Sequence, residues 1–246
     1  MRRTLPRSTR IAVAGIASLA LFGLTACSDD SDSDNASDTS SESPSETESE
    51  SDAPTEEPTA SEDDESAASG SQPEWANPVT TPGEKITTIE AGDMTVDVYQ
   101  VGTAKATETG QFVDPDTNKP LLAVGDEIVF VNFVVTNNGD DIDLGSSGVS
   151  IDARYDDWPY MQGMDSVVDD ALFEAQDVND GAFAPGSYVD PSVYTFGSGQ
   201  VISFGENFIY QKDSPITFKV SVTPVDAEGE LLHDERIEAE GAATIS

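Results

Sequence analysis

The residue types that most often carry out catalysis are scarce in this chain of 246 residues. It contains one histidine, His233, and one cysteine, Cys27. A Ser-His-Asp triad would have to use His233, which stands in a predicted strand end at residues 231–234, and the sequence has no Gly-x-Ser-x-Gly nucleophile elbow. We therefore predict that the protein is not an enzyme. An envelope hydrolase that uses a pair of carboxylates is an alternative, although the sequence singles out no pair.

A short run of oxygen-bearing side chains offers ligands for a hard cation. Asp114, Asp116 and Asn118 alternate along the chain, as ligands do in the first half of calcium-binding loops. The run departs from the EF-hand pattern. Pro120 stands near the position where that loop needs a glycine, and Gly125 stands where it needs a bidentate glutamate. Aspartate also favours turns through hydrogen bonds to its own backbone. We expect no cofactor, and a calcium-stabilised structural or adhesive module is a second alternative.

Trp158, Tyr160 and Met161 open a long insertion between two predicted strands. Excursions of roughly 35 residues from a small sandwich are often functional. Exposed aromatic and methionine side chains are typical of contact surfaces. The alternative is that these side chains pack the insertion onto a sheet. We predict that the three residues contact a partner.

Cys27 follows Leu24, Thr25 and Ala26 at the end of an N-terminal leader. Four arginines precede an apolar run at residues 11–24, which is the order of a secretory signal. The run of about 14 residues is shorter than the ~20 that a membrane-spanning helix needs. The tetrapeptide ending at Cys27 resembles the lipobox of bacterial lipoproteins. That resemblance implies a signal peptide at residues 1–26, a diacylglyceryl group on Cys27, and a protein anchored at the extracytoplasmic face of the cell membrane.

Residues 28–74 have the composition of a tether. Asp, Glu and Ser make up 31 of these 47 residues, and the segment has no basic, aromatic or large aliphatic side chain. Such a segment cannot bury enough apolar surface to offset its chain entropy, and its like charges repel one another. We therefore predict a disordered acidic tether at residues 27–74.

Residues 75–246 are predicted to form one β-rich domain. Its 7 basic and 31 acidic side chains exclude nucleic acid as a partner. Residues 127–136 are apolar on both faces, as in a central buried strand. The number of short strands and turn signals predicts an antiparallel β-sandwich. The predicted strands are residues 94–101, 127–136, 149–155, 193–196, 201–210 with a bulge at Gly205, 216–223, 230–233 and 235–239.

One helix is predicted inside the insertion. Ser166 and Asp169 have the spacing of a capping box, and acidic residues crowd the first turn. An apolar stripe with helical spacing follows the same stretch of chain. Its members are Met164, Val167, Val168, Ala171, Leu172 and Ala175.

The order of strands and turns resembles a known group of domains. A strong strand ends in Asn-Asn-Gly-Asp at residue 140, and Pro185-Gly186 and a short strand ending at Phe196 follow. These features resemble the immunoglobulin-like domains of secreted and lipid-anchored proteins of Gram-positive bacteria. The resemblance covers residues 83–223, implies an immunoglobulin-like β-sandwich and implies no catalytic residues. We expect a lipid-anchored surface protein whose sandwich binds a protein, a glycan or an envelope component.

Overall fold

The structure, a computed structural model, describes residues 70–246. The predicted leader, Cys27 and the predicted tether up to residue 69 lie outside the described residues. The described chain forms eight strands, one short helix and one 3-10 turn. The strands are β1 (Glu84–Ala91), β2 (Met94–Lys105), β3 (Glu127–Asn137), β4 (Ile142–Tyr155), β5 (Tyr194–Phe196), β6 (Val201–Ile209), β7 (Ser214–Pro224) and β8 (Ile237–Ile245); the helix is α1 (Asp170–Ala175), and the 3-10 turn is His233–Glu235.

The strands pair into two antiparallel sheets of four. The first has the order β1-β2-β3-β6 and the second the order β5-β4-β7-β8. The predicted mostly β fold with antiparallel sheets is therefore confirmed. Within residues 70–246, no helix is long and apolar enough to cross a membrane.

Strand β3 is buried on both of its faces, as its apolar sequence predicts. No side chain in residues 128–135 is more than 2% exposed. One face looks toward the second sheet, where the rings of Phe133 and Phe218 lie 5.8 Å apart. The other face looks away from it, and there Phe130 meets Phe173 of α1 at 5.2 Å in an edge-to-face arrangement. The first sheet therefore needs a second covering layer.

That covering layer comes from two irregular stretches of the chain. Ala106 and Leu122 belong to the long connection between β2 and β3, and Val167, Phe173 and Val178 belong to the insertion between β4 and β5. All five side chains are buried against Ile128 and Phe130. The insertion is thus part of the core and not a free loop.

Asn207 on β6 fastens the insertion to the first sheet. Its Nδ2 donates to the carbonyl of Val167 at 2.8 Å, and its Oδ1 accepts from the Val167 N–H at 2.9 Å. Asn207 is 1% exposed. One side chain therefore supplies both hydrogen bonds that a neighbouring strand would supply, so the buried backbone of Val167 is satisfied.

The predicted helix is wrong over its first half. Residues 164–168 are not helical, because the backbone in their middle pairs with the Asn207 amide instead of forming a helical turn. The helix begins at Asp170, and its N-cap is Asp169 rather than the predicted Ser166.

The residues of the predicted stripe also separate from one another. Met164 packs against the core between the sheets, whereas Val167 lies in the second core. Val168 is 70% exposed. The buried residue of α1 is Phe173, which was not part of the predicted stripe.

The first of the two predicted final strands, residues 230–233, is wrong, whereas the second, residues 235–239, overlaps the start of β8. Residues 233–235 form the 3-10 turn, and Leu231 forms a single bridge with Val225. The chain before the 3-10 turn forms another tight turn, because the Asp226 carboxylate accepts from the N–H groups of Glu228 and Glu230. The last strand, β8, is a single continuous segment.

Gly205 does not form the predicted bulge. The register between β3 and β6 is unbroken there, with Asn132 opposite Gly205. A Cβ at this position would lie 2.3 Å from the Val131 carbonyl oxygen and 2.4 Å from Val178 Cγ1. Glycine is needed because the covering layer approaches the strand closely.

The first strand and the domain start were both misjudged from the sequence. Strand β1 pairs with β2 through a two-residue turn in which Gly92 has a φ of 61°, a conformation that glycine adopts without strain. Ser71, assigned to the tether, bridges Gln200, and its carbonyl accepts from the Val201 N–H at 2.9 Å. Residues 71–74 therefore belong to the domain.

We expect Asn207→Ala to lower the free energy of unfolding by about 2–4 kcal/mol, because two buried backbone groups of Val167 lose their partners. Urea unfolding followed by tryptophan fluorescence measures this. Asn138→Ala is the matched control, since exposed Asn138 makes one side-chain bond, to Thr95, and should change stability by less than about 0.5 kcal/mol. Equal effects of the two variants would contradict the role of Asn207.

Candidate functional site

The segment of the predicted calcium ligands and the segment of the predicted partner contacts meet in one surface groove. Residues 114–121 form one wall, and residues 158–160 form the other. Ile209 and Gln211 complete the lining, and the volume is about 400 Å³. We call this surface the aromatic groove. It combines aromatic and proline side chains with a few polar groups, which is the usual make-up of a recognition site.

Asp114 organises the first wall of the groove. Its Oδ1 accepts from the N–H groups of Asp116 and Thr117, both at 2.8 Å. The backbone closes the same turn, with the Asn118 N–H donating to the Asp114 carbonyl and the Asp114 N–H donating to the Lys119 carbonyl. Asp114 therefore acts as a turn-forming aspartate.

A hydrogen bond joins the two walls of the groove. The Tyr160 hydroxyl donates to Asp114 Oδ2 at 2.9 Å. The turn N–H of Thr117 and then this hydroxyl lower the pKa of Asp114 below its ordinary value. The same bond raises the pKa of the Tyr160 hydroxyl, because the carboxylate holds the phenolic proton. The shifts in both groups indicate an ionised Asp114 bound to a neutral Tyr160.

Further bonds hold the segment before Asp114 against the insertion. Buried Asp165 accepts from the N–H groups of Gln111 and Phe112 at 3.0 and 2.7 Å. Gln162 Nε2 donates to the Val113 carbonyl at 3.3 Å. The two walls of the groove are thus linked at several points, so the groove is preorganised.

Trp158 supports the groove from below. It is partly buried against the core between the sheets. Its Nε1 donates to the Gln162 carbonyl at 3.0 Å, and its ring meets that of Tyr160 at 5.3 Å in an edge-to-face arrangement. Trp158 therefore packs the insertion onto a sheet, as the alternative interpretation expected, and it also lines the groove. Its contact with a partner stays a prediction.

Exposed apolar side chains surround the groove. Met161 is 97% exposed, and Phe112 and Val113 are 38% and 44% exposed. The bonds from Asp165 and Gln162 bring the segments carrying these residues together. Exposed apolar side chains close to a groove are typical of interaction sites.

The predicted calcium ligands lie in the turn that Asp114 closes. Asp116 and Asn118 are exposed, and both oxygens of Asp114 already accept hydrogen bonds. Across residues 70–246, no group of three or more His, Cys, Asp or Glu side chains is arranged to hold a metal ion. Calcium binding through Asp114, Asp116 and Asn118 stays a prediction.

His233 lies far in sequence from the groove-lining residues and is exposed in the 3-10 turn. Its side chain makes no hydrogen bond to any described residue. The 3-10 turn replaces the strand end that the sequence predicts here.

A second, smaller cavity lies between β4 and β6. It has a volume of about 250 Å³ and is lined by Asp152, Ala153, Arg154, Gly163, Met164 and Glu206. We call it the carboxyl cavity. Burial, and then the charge of Asp152, raise the pKa of Glu206 to about 7.

Sequence reasoning missed Glu206, although a signal for it was present. Phe204, Glu206 and Phe208 alternate along β6, and both phenylalanines pack in the core between the sheets. A charged residue in the apolar phase of a strand points toward the interior. That phase could have singled out Glu206 among the many acidic residues.

Comparisons with known proteins find only distant structural similarities. No family model matches the chain, and no curated protein matches it. One similar solved structure is a "putative lipoprotein (ycdA)" from Bacillus subtilis, with 14% identity, a TM-score of 0.31, and coverage of 68% of this chain and 39% of that one. Another is the yjhA protein of Bacillus subtilis, with 12% identity, a TM-score of 0.34, and coverage of 67% and 99%. This chain thus spans well under half the length of the first of these proteins.

We expect Glu206→Gln to stabilise the protein at about pH 8 by roughly 2–3 kcal/mol, and to have little effect near pH 5. The folded carboxyl, with a pKa of about 7, keeps its proton after the unfolded one, with an ordinary value of 4.5, has lost it. Wild-type stability therefore falls as pH rises between these two values. Urea unfolding at both pH values measures the difference. Exposed Glu174→Gln is the matched control, and a pH-independent effect of Glu206→Gln would contradict the shift.

Proposed function

We propose that this chain is a lipid-anchored extracytoplasmic protein whose immunoglobulin-like sandwich binds a protein partner and performs no catalysis. The anchor is Cys27, and the acidic segment at residues 28–70 holds the domain away from the membrane. The aromatic groove is the contact surface. The observation that carries the proposal is the convergence of Asp114, Trp158 and Tyr160 in one preorganised groove.

Several features favour a protein over a glycan as the partner. Exposed Met161, Phe112 and Val113 extend the groove with apolar area that has no hydrogen-bonding capacity in its side chains. Methionine and aromatic residues are enriched at protein interfaces. The partner should present basic residues as well, because the domain carries 31 acidic and 7 basic side chains and would repel an acidic surface.

The tether suits this role on physical grounds. Its like charges should keep it extended, and the 43 residues from 28 to 70 at ~3.4 Å each could reach on the order of 150 Å. A single acyl chain binds a bilayer marginally, whereas the two chains of a diacylglyceryl group bind it stably. The groove would thus reach partners well beyond the bilayer surface.

Replacing Cys27 by Ser should release the protein from the membrane fraction and abolish labelling by radioactive palmitate, because the thiol that receives the lipid is gone. Cell fractionation and autoradiography measure both outcomes. Ser28→Ala is the matched control, since it changes the next residue and keeps the thiol. Membrane retention and labelling of the Cys27→Ser protein would overturn the anchor.

Truncating the exposed part of the groove should remove the partner. Met161→Ala combined with Tyr160→Ala deletes apolar contact area, while Trp158 is left in place because it packs on the core. We expect at least tenfold less partner recovered by cross-linking pull-down from intact cells, in line with interface anchor residues worth about 2 kcal/mol.

The control for this experiment is Val168→Ala combined with Tyr188→Ala. These side chains are 70% and 73% exposed and lie outside the groove lining, so recovery should not change. Circular dichroism would verify that both double variants are folded. Equal recovery from the wild type and the groove variant would refute the proposed surface.

A further inference from the structure

The carboxyl cavity lies at a side of the sandwich where both sheets lack a neighbouring strand. Strand β6 is the outer strand of the first sheet. In the second sheet, β5 pairs with residues 142–144 of β4 and leaves the remainder of β4 without a partner on that side. Glu206 lies on β6 and Asp152 on β4, so the cavity opens between the two strands.

Glu206 has no bonding partner among the described residues. Its side chain is mostly buried, yet it forms neither a hydrogen bond nor a salt bridge within residues 70–246. Burying a carboxylate without a partner is costly, and a protein gains stability from any group that satisfies it. Glu206 is one of the residues that line the cavity.

Two acidic side chains and one basic side chain line the cavity. Asp152 raises the pKa of Glu206 through its negative charge. The Arg154 guanidinium keeps its positive charge while it donates to the Tyr160 carbonyl, so the lining has a net charge of −1 when Glu206 and Asp152 are both ionised. Lys219 pairs with Asp152 in the β4–β7 register and forms its salt bridge with Glu238. The insertion contributes Gly163 and Met164, which carry no charge.

We propose that the carboxyl cavity binds an alkylammonium group, with Glu206 as its direct counter-ion and Asp152 as a second negative charge. This site is separate from the aromatic groove and does not depend on the function proposed for it. The ammonium could belong to a lysine side chain or to a free diamine, because both present the same cation on the same kind of stem.

The lining matches both parts of such a ligand. An ammonium group donates three hydrogen bonds and compensates a desolvated carboxylate. The stem would lie against Met164 and Ala153, where a thioether and a methyl group offer apolar contact. A volume of about 250 Å³ is large compared with the ~30 Å³ of one water molecule, so several methylene-sized groups fit.

Protons should compete with this ligand. With a pKa of about 7, the Glu206 carboxyl is largely neutral in weakly acidic solution and largely ionised above pH 8. A neutral carboxyl attracts a cation weakly. Amine affinity should therefore rise with pH through neutrality, and bound amine should in turn lower the pKa of Glu206 by the same linkage.

The test is an NMR titration of the described domain, residues 70–246, attached to its natural tether but without the leader. N-acetyl-lysine methylamide and 1,5-diaminopentane are titrated separately at about pH 8.5 and about pH 5.5, with the Glu206 side-chain carbon as the probe. We expect binding in the millimolar range at the higher pH, at least tenfold weaker binding at the lower pH, and a lower Glu206 pKa with amine present.

Matched variants make the outcome decisive. Glu206→Gln keeps the shape of the side chain and should weaken amine binding by about tenfold or more, because a charged hydrogen bond is lost. Asp152→Asn should weaken it less. Glu174→Gln removes one exposed acid elsewhere and should leave binding unchanged, which separates a site from general attraction by an acidic protein.

Four outcomes of the titration decide whether the carboxyl cavity binds an amine. Saturable binding of either amine that depends on Glu206 supports the site, and the tighter of the two identifies the source. Absence of binding by both amines would overturn the proposal. So would equal binding by the wild type and Glu206→Gln, or equal losses in Glu206→Gln and Glu174→Gln. None of these outcomes bears on the aromatic groove, which Met161→Ala with Tyr160→Ala tests independently.

Discussion

The burial of β3 on both faces is the constraint on which the rest of the structure depends. A strand that is apolar on both sides cannot sit in a sheet with one wet face, because each exposed face would leave large side chains in water. The second sheet covers one face through Phe133 and Phe218. The other face has no third sheet, so irregular chain must cover it, and Phe173 of the insertion does so. The insertion is therefore required for the fold.

Covering a sheet with irregular chain creates a hydrogen-bonding problem. Backbone groups buried outside a sheet or helix need partners. Asn207 supplies them to Val167, and Asp165 supplies them to Gln111 and Phe112. These buried polar side chains fix the path of the insertion and of the β2–β3 connection. The aromatic groove is a consequence, because the same two stretches of chain meet at the Tyr160–Asp114 bond.

The domain combines an acidic exterior with two acidic groups turned inward, Asp165 and Glu206. Asp165 accepts hydrogen bonds from two backbone N–H groups, and several exposed or half-exposed acids serve turns, as Asp114 and Asp226 do. Glu206 differs because its strand phase places it among apolar residues, where desolvation favours the protonated form. The Glu206 carboxyl lowers the stability of the domain at neutral pH and bonds to no other described residue. A cation bound to it would offset that cost. That reasoning links the cavity between β4 and β6 to ligand binding.

Local patterns in the sequence determined most of the strands and the central position of β3, because period-two alternation and a two-sided apolar run depend on neighbouring residues alone. The same is true of Asp114 as a turn former. The helical stripe at residues 164–168 was misleading, because the Asn207 amide, some 40 positions along the chain, takes the backbone bonds that a helix would need. The sequence also named Asp114 and Tyr160 separately, but it could not pair them across 46 positions. Tertiary structure alone decided that pairing, the close approach at Gly205 and the isolation of Glu206, because each depends on contacts between segments distant in sequence.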